Sequence, residues 1–181
     1  MPEHEDQIGA ILEFWFAPGN ERNWFDTTPE FDRQIEQRFG RLVEPALAGA
    51  LDGWPKSAKG ALALILLLDQ FTRNLFRGTS RAFDGDARAR SVARLALDKG
   101  FDRRRPLRER VFFYLPFGHS ENLADQEEAV RLAGQLENET FLAHARHHRD
   151  VVARFGRFPH RNAALGREST EEERRFLETE D

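Results

Sequence analysis

The sequence predicts an all-α fold of seven to nine antiparallel helices in a single domain spanning residues 1–181. Three observations carry that expectation. Apolar residues recur at helical spacing throughout, and no segment alternates with the period of two that a half-buried strand requires. Capping residues, prolines and glycines fall where helices should begin and end. The intervals between apolar runs are short, which favours antiparallel neighbours.

The first helix is expected from about Asp6 to Phe16, with Ile8, Ile11, Leu12 and Trp15 on one face and Pro18-Gly19-Asn20 ending it. Thr28 reads as the cap of a second helix, with Pro29 at its first position and Glu30 and Asp32 in its first turn. That helix points Phe31, Ile35, Phe39, Val43, Ala46 and Ala50 inward and closes by Gly53–Pro55. A third helix, about Ser57 to Phe76, is apolar all round over Ala61–Leu68, the pattern of a helix packed on every side.

A fourth helix, Asp84 to Lys99, stops at Gly100. A fifth, Pro106 to Leu115, ends at Pro116-Phe117-Gly118. The sixth is expected to start at Ser120 or shortly after and reach about Leu136, and the seventh to run from about Glu139 to about Phe155. The last begins near Thr170, where Ser169 with Glu172 or Thr170 with Glu173 makes a capping box.

Composition narrows the function. Of 27 basic residues only Lys56, Lys59 and Lys99 are lysine, and the net charge of −4 argues against nucleic acid as a partner. The one basic patch, Arg103 to Arg110, reads first as a solvated helix start. With no cysteine, disulfides and thiolate metal sites are excluded, which fits a reducing, cytoplasmic setting. The polar stretch from Met1 to Gln7 does not match a secretory signal. The longest apolar run, Ala61–Leu68, is far short of the roughly 20 residues that span a bilayer. The expectation is therefore a cytoplasmic monomer or homodimer with no membrane partner.

Four polar clusters interrupt the apolar pattern. At about 100° per residue, Asp69, Gln70, Arg73, Asn74 and Arg77 share one wedge of the third helix. The wedge reads either as a hydrogen-bonded network that fixes helix docking or as the floor of a pocket for an anionic ligand, since Arg forks match carboxylate and phosphate. Pro116-Phe117-Gly118-His119-Ser120-Glu121 reads as a capping loop or an anion site at a helix start. In the third cluster, His144 and His148 are expected to point inward, with His147 at the edge. No HExxH accompanies them, so neither metal nor cofactor is expected. The fourth, Arg157-Phe158-Pro159-His160-Arg161-Asn162, reads as a turn presenting recognition groups. A short echo between Phe71-Thr72-Arg73-Asn74 and Phe158-Pro159-His160-Arg161-Asn162 is too brief to establish duplication.

These segments resemble an uncharacterised bacterial family, domain of unknown function 924. The resemblance rests on Ile11-Leu12-Glu13-Phe14-Trp15-Phe16, Trp24-Phe25, Leu67-Leu68-Asp69-Gln70-Phe71, Arg73-Asn74, Arg77-Gly78-Thr79, Ala82-Phe83, His119-Ser120-Glu121, Arg154 to Asn162, and Leu165-Gly166-Arg167-Glu168-Ser169-Thr170. Thr72 stands where the family pattern has Pro, and Gly118 where it has a larger residue.

The resemblance implies a tetratricopeptide-like right-handed superhelix or a compact helical bundle, and no established activity. It marks Asp69, Gln70, Arg73, Asn74, Arg77, His119, Ser120, Glu121, His148, His160, Arg161 and Asn162 as the expected site. Two functions then compete: a pocket for a small anionic metabolite or peptide carboxylate, and a helical interaction module whose polar clusters only set helix geometry. A metal-dependent hydrolase using His119, His148, His160 and Glu121 is a distant third.

Overall fold

The computed structural model describes residues 2–180, and its regular structure there is helical, with eight helices. They are α1 (Pro2–Trp15), α2 (Pro29–Leu47), a composite α3, α4 (Asp86–Asp98), α5 (Leu107–Gly118), α6 (Leu123–Ala133), α7 (Glu139–Phe155) and α8 (Glu171–Glu180). The chain folds into two compact units. The first holds the residues up to Arg77 together with Arg81–Phe113, and the second holds Gly78–Ser80 and the chain from Tyr114 onward.

In the first unit α3 is central, touched by α1, α2 and α4. Its cap is Ser57, whose hydroxyl accepts from the Gly60 amide at 3.1 Å. The helix is α over Ala58–Ile65, widens to a π-helix over Leu66–Phe71, and closes as α over Thr72–Leu75. Every residue from Gly60 to Thr72 is buried, as a helix without a polar face must be. Around it Trp15 is wholly buried, with ring centroids 5.8 Å from Phe31, 5.6 Å from Phe71 and 5.5 Å from Phe112.

α2 starts as expected: the Thr28 hydroxyl accepts from the Phe31 amide at 3.2 Å. Phe31, Ile35, Phe39, Val43 and Ala46 are buried, but Ala50 is exposed because the helix has already ended at Leu47. At Gly85, which precedes α4, an added Cβ would lie 2.0 Å from the Leu68 carbonyl oxygen, so only glycine lets the α4 start approach the π stretch this closely.

In the second unit α6 packs on α7, and α8 packs on the short 3₁₀ turn Pro159–Arg161. One boundary and one cap differ from the sequence expectation. α5 runs through Pro116 to Gly118, since a proline in the last turn disturbs little helix beyond it. The cap of α6 is Asn122, whose side-chain oxygen accepts from the amides of Ala124 and Asp125. Ser120 instead accepts from the Asn122 amide at 3.2 Å and donates to Asp125 at 2.7 Å. α7 spans the expected residues, but His144 is exposed and only His148 turns partly inward.

Candidate functional site

The polar wedge of α3 sits on its π-helical stretch and just beyond it. A π turn closes i to i+5 bonds, so the 100° spacing that put five side chains on one arc does not hold through Leu66–Phe71. The arc accordingly divides between two sets of partners. Arg73 turns toward Asp69 and α4: its Nη1 donates to the Asp69 carbonyl oxygen at 2.7 Å and to Asp86 Oδ1 at 2.8 Å, while Nη2 donates to Asp86 Oδ2 at 3.1 Å. This is a two-pronged guanidinium–carboxylate pair with a side chain only 21% exposed. Desolvation pulls against the Arg73 charge, but Asp69 and Asp86 outweigh it and raise the guanidinium pKa.

Gln70 donates to Asp69 Oδ2 at 2.6 Å. Asn74 and Arg77 turn toward α2: Asn74 Nδ2 donates to Asp32 Oδ1 at 2.7 Å and Thr27 Oγ1 at 3.1 Å, and Arg77 reaches Asp32 Oδ2 at 3.2 Å. All five wedge side chains thus bond within their own unit.

In the second unit the loop at His119 and the turn at His160 come together. Glu121 accepts from the Phe158 amide at 2.8 Å and takes both prongs of Arg167 at 2.7 and 2.9 Å. Desolvation raises the Glu121 pKa, but Arg167 and the Phe158 amide outweigh it, and the carboxyl is held below the usual carboxylate range. Arg161, buried, donates to the His119 carbonyl oxygen at 2.9 Å, with its guanidinium 4.7 Å over the Phe158 ring.

His148 places Nδ1 3.1 Å from the Gly118 carbonyl oxygen, which also accepts from Gln126 Nε2 at 2.8 Å. Its ring lies 5.2 Å from Phe158, and His160 lies 5.4 Å from the same ring. Desolvation, and then the neighbouring His119, His147 and His160, push His148 down to about 4, against the Gly118 carbonyl that favours its cation. No group of three or more His, Asp or Glu side chains among the described residues could hold a metal ion.

Asn162 belongs to a different knot. Its Nδ2 donates to Ser169 Oγ at 3.0 Å, and its Oδ1 accepts from Arg167 at 2.9 Å. Beside it buried Glu173 takes Arg157 at 2.6 and 2.8 Å and the Thr170 amide at 2.8 Å, while the Glu173 amide donates back to Thr170 Oγ1 at 3.1 Å. This completes the Thr170–Glu173 capping box. Arg157 first, then Thr170 and Asn162 against the opposing cost of burial, hold Glu173 down at about 2.

Sequence reasoning missed Asp86, Asp32, Arg167 and Glu173 as members of these networks. The sequence presents Asp32 only as a helix-start charge and Glu173 only as half of a capping box with Thr170. Their partners lie 42 and 16 residues away, at Asn74 and Arg157, where periodicity carries no signal. The echo between the two Arg-Asn segments is not structural, since one is helix and the other a 3₁₀ turn.

A solved structure of a protein of unknown function from Agrobacterium tumefaciens matches with a TM-score of 0.92 and 45% sequence identity, covering 97% of this chain and 98% of that one. No curated protein matches the chain. The profile described as bacterial protein of unknown function, DUF924, matches residues 11–181, so with its helices and its motifs in place the chain belongs to the DUF924 family.

Proposed function

We propose that the chain binds a small anionic metabolite or a peptide carboxylate, using the His119 loop and the Pro159–Arg161 turn. The observation that supports this reading is the gathering of His119, His148 and His160 with buried Arg161 about Phe158. Imidazole N–H groups beside a guanidinium offer directed donors to an anion, and perturbed titration of the kind His148 shows is common at functional sites. A cytoplasmic location belongs to the same proposal.

The test is a titration of the full chain with inorganic phosphate, citrate and acetylated dipeptides bearing a free carboxylate, followed through the imidazole proton resonances. The expected result is saturable movement of the His119 and His160 signals, lost in His160→Ala, whose side chain is exposed. No saturable movement with any of these anions would overturn the reading.

One observation favours the second reading, a helical interaction module with structural polar clusters. Asp69, Gln70, Arg73, Asn74 and Arg77 all bond to neighbouring groups of the first unit, as a network that only sets helix docking would.

A further inference from the structure

A concavity lies in the first unit, where the segment between α1 and α2 crosses the start of α2. Its volume is about 500 Å³, and Arg22, Asn23, Asp26, Glu30, Phe31 and Gln34 are among the residues that line it. That volume falls within the range of small-molecule sites. None of these residues belongs to the polar wedge or to the imidazole cluster.

Asn23 is the anomaly. It is 8% exposed, yet neither its Oδ1 nor its Nδ2 meets a hydrogen-bond partner among the described residues. Asn23 lines the concavity, and neither atom is among the unpartnered side-chain atoms sealed from solvent, so the amide keeps some contact with water. Nearly all buried polar side chains are bonded, and one that is not requires a reason.

The flanking charges point the same way. Arg22 and Asp26 are four residues apart, of opposite sign, and each is without an ion-pair partner among the described residues. The other polar groups are occupied: Glu30 takes Arg33 and Gln34, Thr28 caps α2, and Asn20 donates to the Phe14 carbonyl oxygen at 2.6 Å.

From the unpartnered buried amide of Asn23, set between the uncommitted charges of Arg22 and Asp26, we infer that this concavity binds a zwitterion of the α-amino acid class. The ligand's carboxylate faces Arg22, its ammonium faces Asp26, and the Asn23 amide serves either group. Phe31, buried beneath, supplies an apolar floor. A bare anion would meet Arg22 but also Asp26 and Glu30, and a bare cation would meet Arg22. Only a ligand carrying both charges satisfies the pair.

The experiment is isothermal titration of the full chain with each of the twenty free amino acids, with acetate and methylammonium as single-charge controls. It is paired with nuclear magnetic resonance of the Asn23 side-chain amide. At least one amino acid is expected to bind saturably and move that amide signal. Losing one charge-assisted hydrogen bond weakens binding by about tenfold, so Arg22→Gln and Asp26→Asn should each do so. Both positions are exposed and fold-neutral, and Arg131→Gln in the second unit should bind like the parent.

The inference is overturned if no amino acid binds, if acetate or methylammonium binds as well as the zwitterion, or if both charge variants bind like the parent. Failure here leaves the imidazole-cluster reading standing, because that test uses different residues and anionic probes.

Discussion

At the scale of single residues, the two arginines of the wedge are expected to behave differently. Arg73 is largely buried against Asp69 and Asp86, so Arg73→Ala takes the guanidinium away from two buried carboxylates and should cost about 3–5 kcal/mol in urea denaturation. Arg77 is 55% exposed, so Arg77→Ala should cost less than about 1 kcal/mol. Equal small effects would show that the Arg73–Asp86 pair does not hold the helices. His148 gives a pH signature. Its folded pKa of about 4 lies below the ordinary histidine value of 6.5, so the unfolded chain binds the proton more readily. Its contribution is complete above about pH 6.5 and is lost as pH falls towards 4. Thermal melts of His148→Asn should therefore depend less on pH across that window than melts of the parent.

At the scale of elements, Leu66 and Leu67 lie wholly buried in the π stretch, and replacing either by Ala should cost about 2–5 kcal/mol. Gly85→Ala should destabilise as well, because the added methyl meets the Leu68 carbonyl, a backbone group that cannot step aside. Chemical denaturation measures both, and an unchanged midpoint for Gly85→Ala would refute the close approach. Much of this level was legible beforehand. The cap at Thr28, the span of α7, the burial of Ala61–Leu68 and the Thr170–Glu173 box all follow from local chemistry. What stayed hidden was whatever depended on distant partners or on a departure from ideal pitch. Ser120 and Asn122 are both good caps, and nothing local says that Ser120 is engaged by Asp125. A π turn has no compositional mark, so the five-residue wedge looked continuous although it serves two neighbours. The juncture of Glu121 with Phe158 and Arg167 joins residues 37 and 46 positions apart. Only the resemblance of the flanking motifs grouped them.

At the scale of the molecule, the second unit holds three groups, Glu173, Glu121 and His148, whose contacts are sensitive to acid. The Glu173 carboxyl, held at about 2, stabilises the fold fully above the ordinary glutamate range and stops doing so as pH falls through 2. Glu121, lowered in the same sense, adds to this, and His148 has lost its contribution before Glu173 loses its own. Protection of the α8 amides, taken as the observed exchange rate against the intrinsic rate at the same pH, should therefore fall as the solution is acidified. Glu173→Gln should bring that loss of protection to neutral pH, and unchanged protection in the variant would show that α8 is held by Phe176 rather than by Arg157 and Asn162.

The widened turn of α3 also has a meaning for insertions and deletions. A π-helical stretch holds its place with more residues than a straight α-helix would use, so Leu66–Phe71 can lose one and still close as a helix. The loss would rotate Thr72–Leu75 by about 100° relative to the preceding turns. Arg73 would then swing away from Asp86, and Asn74 from Asp32. A chain lacking Leu68 should keep its helical dichroism and lose stability, which makes the length of this one turn a register mark that the rest of the unit reads.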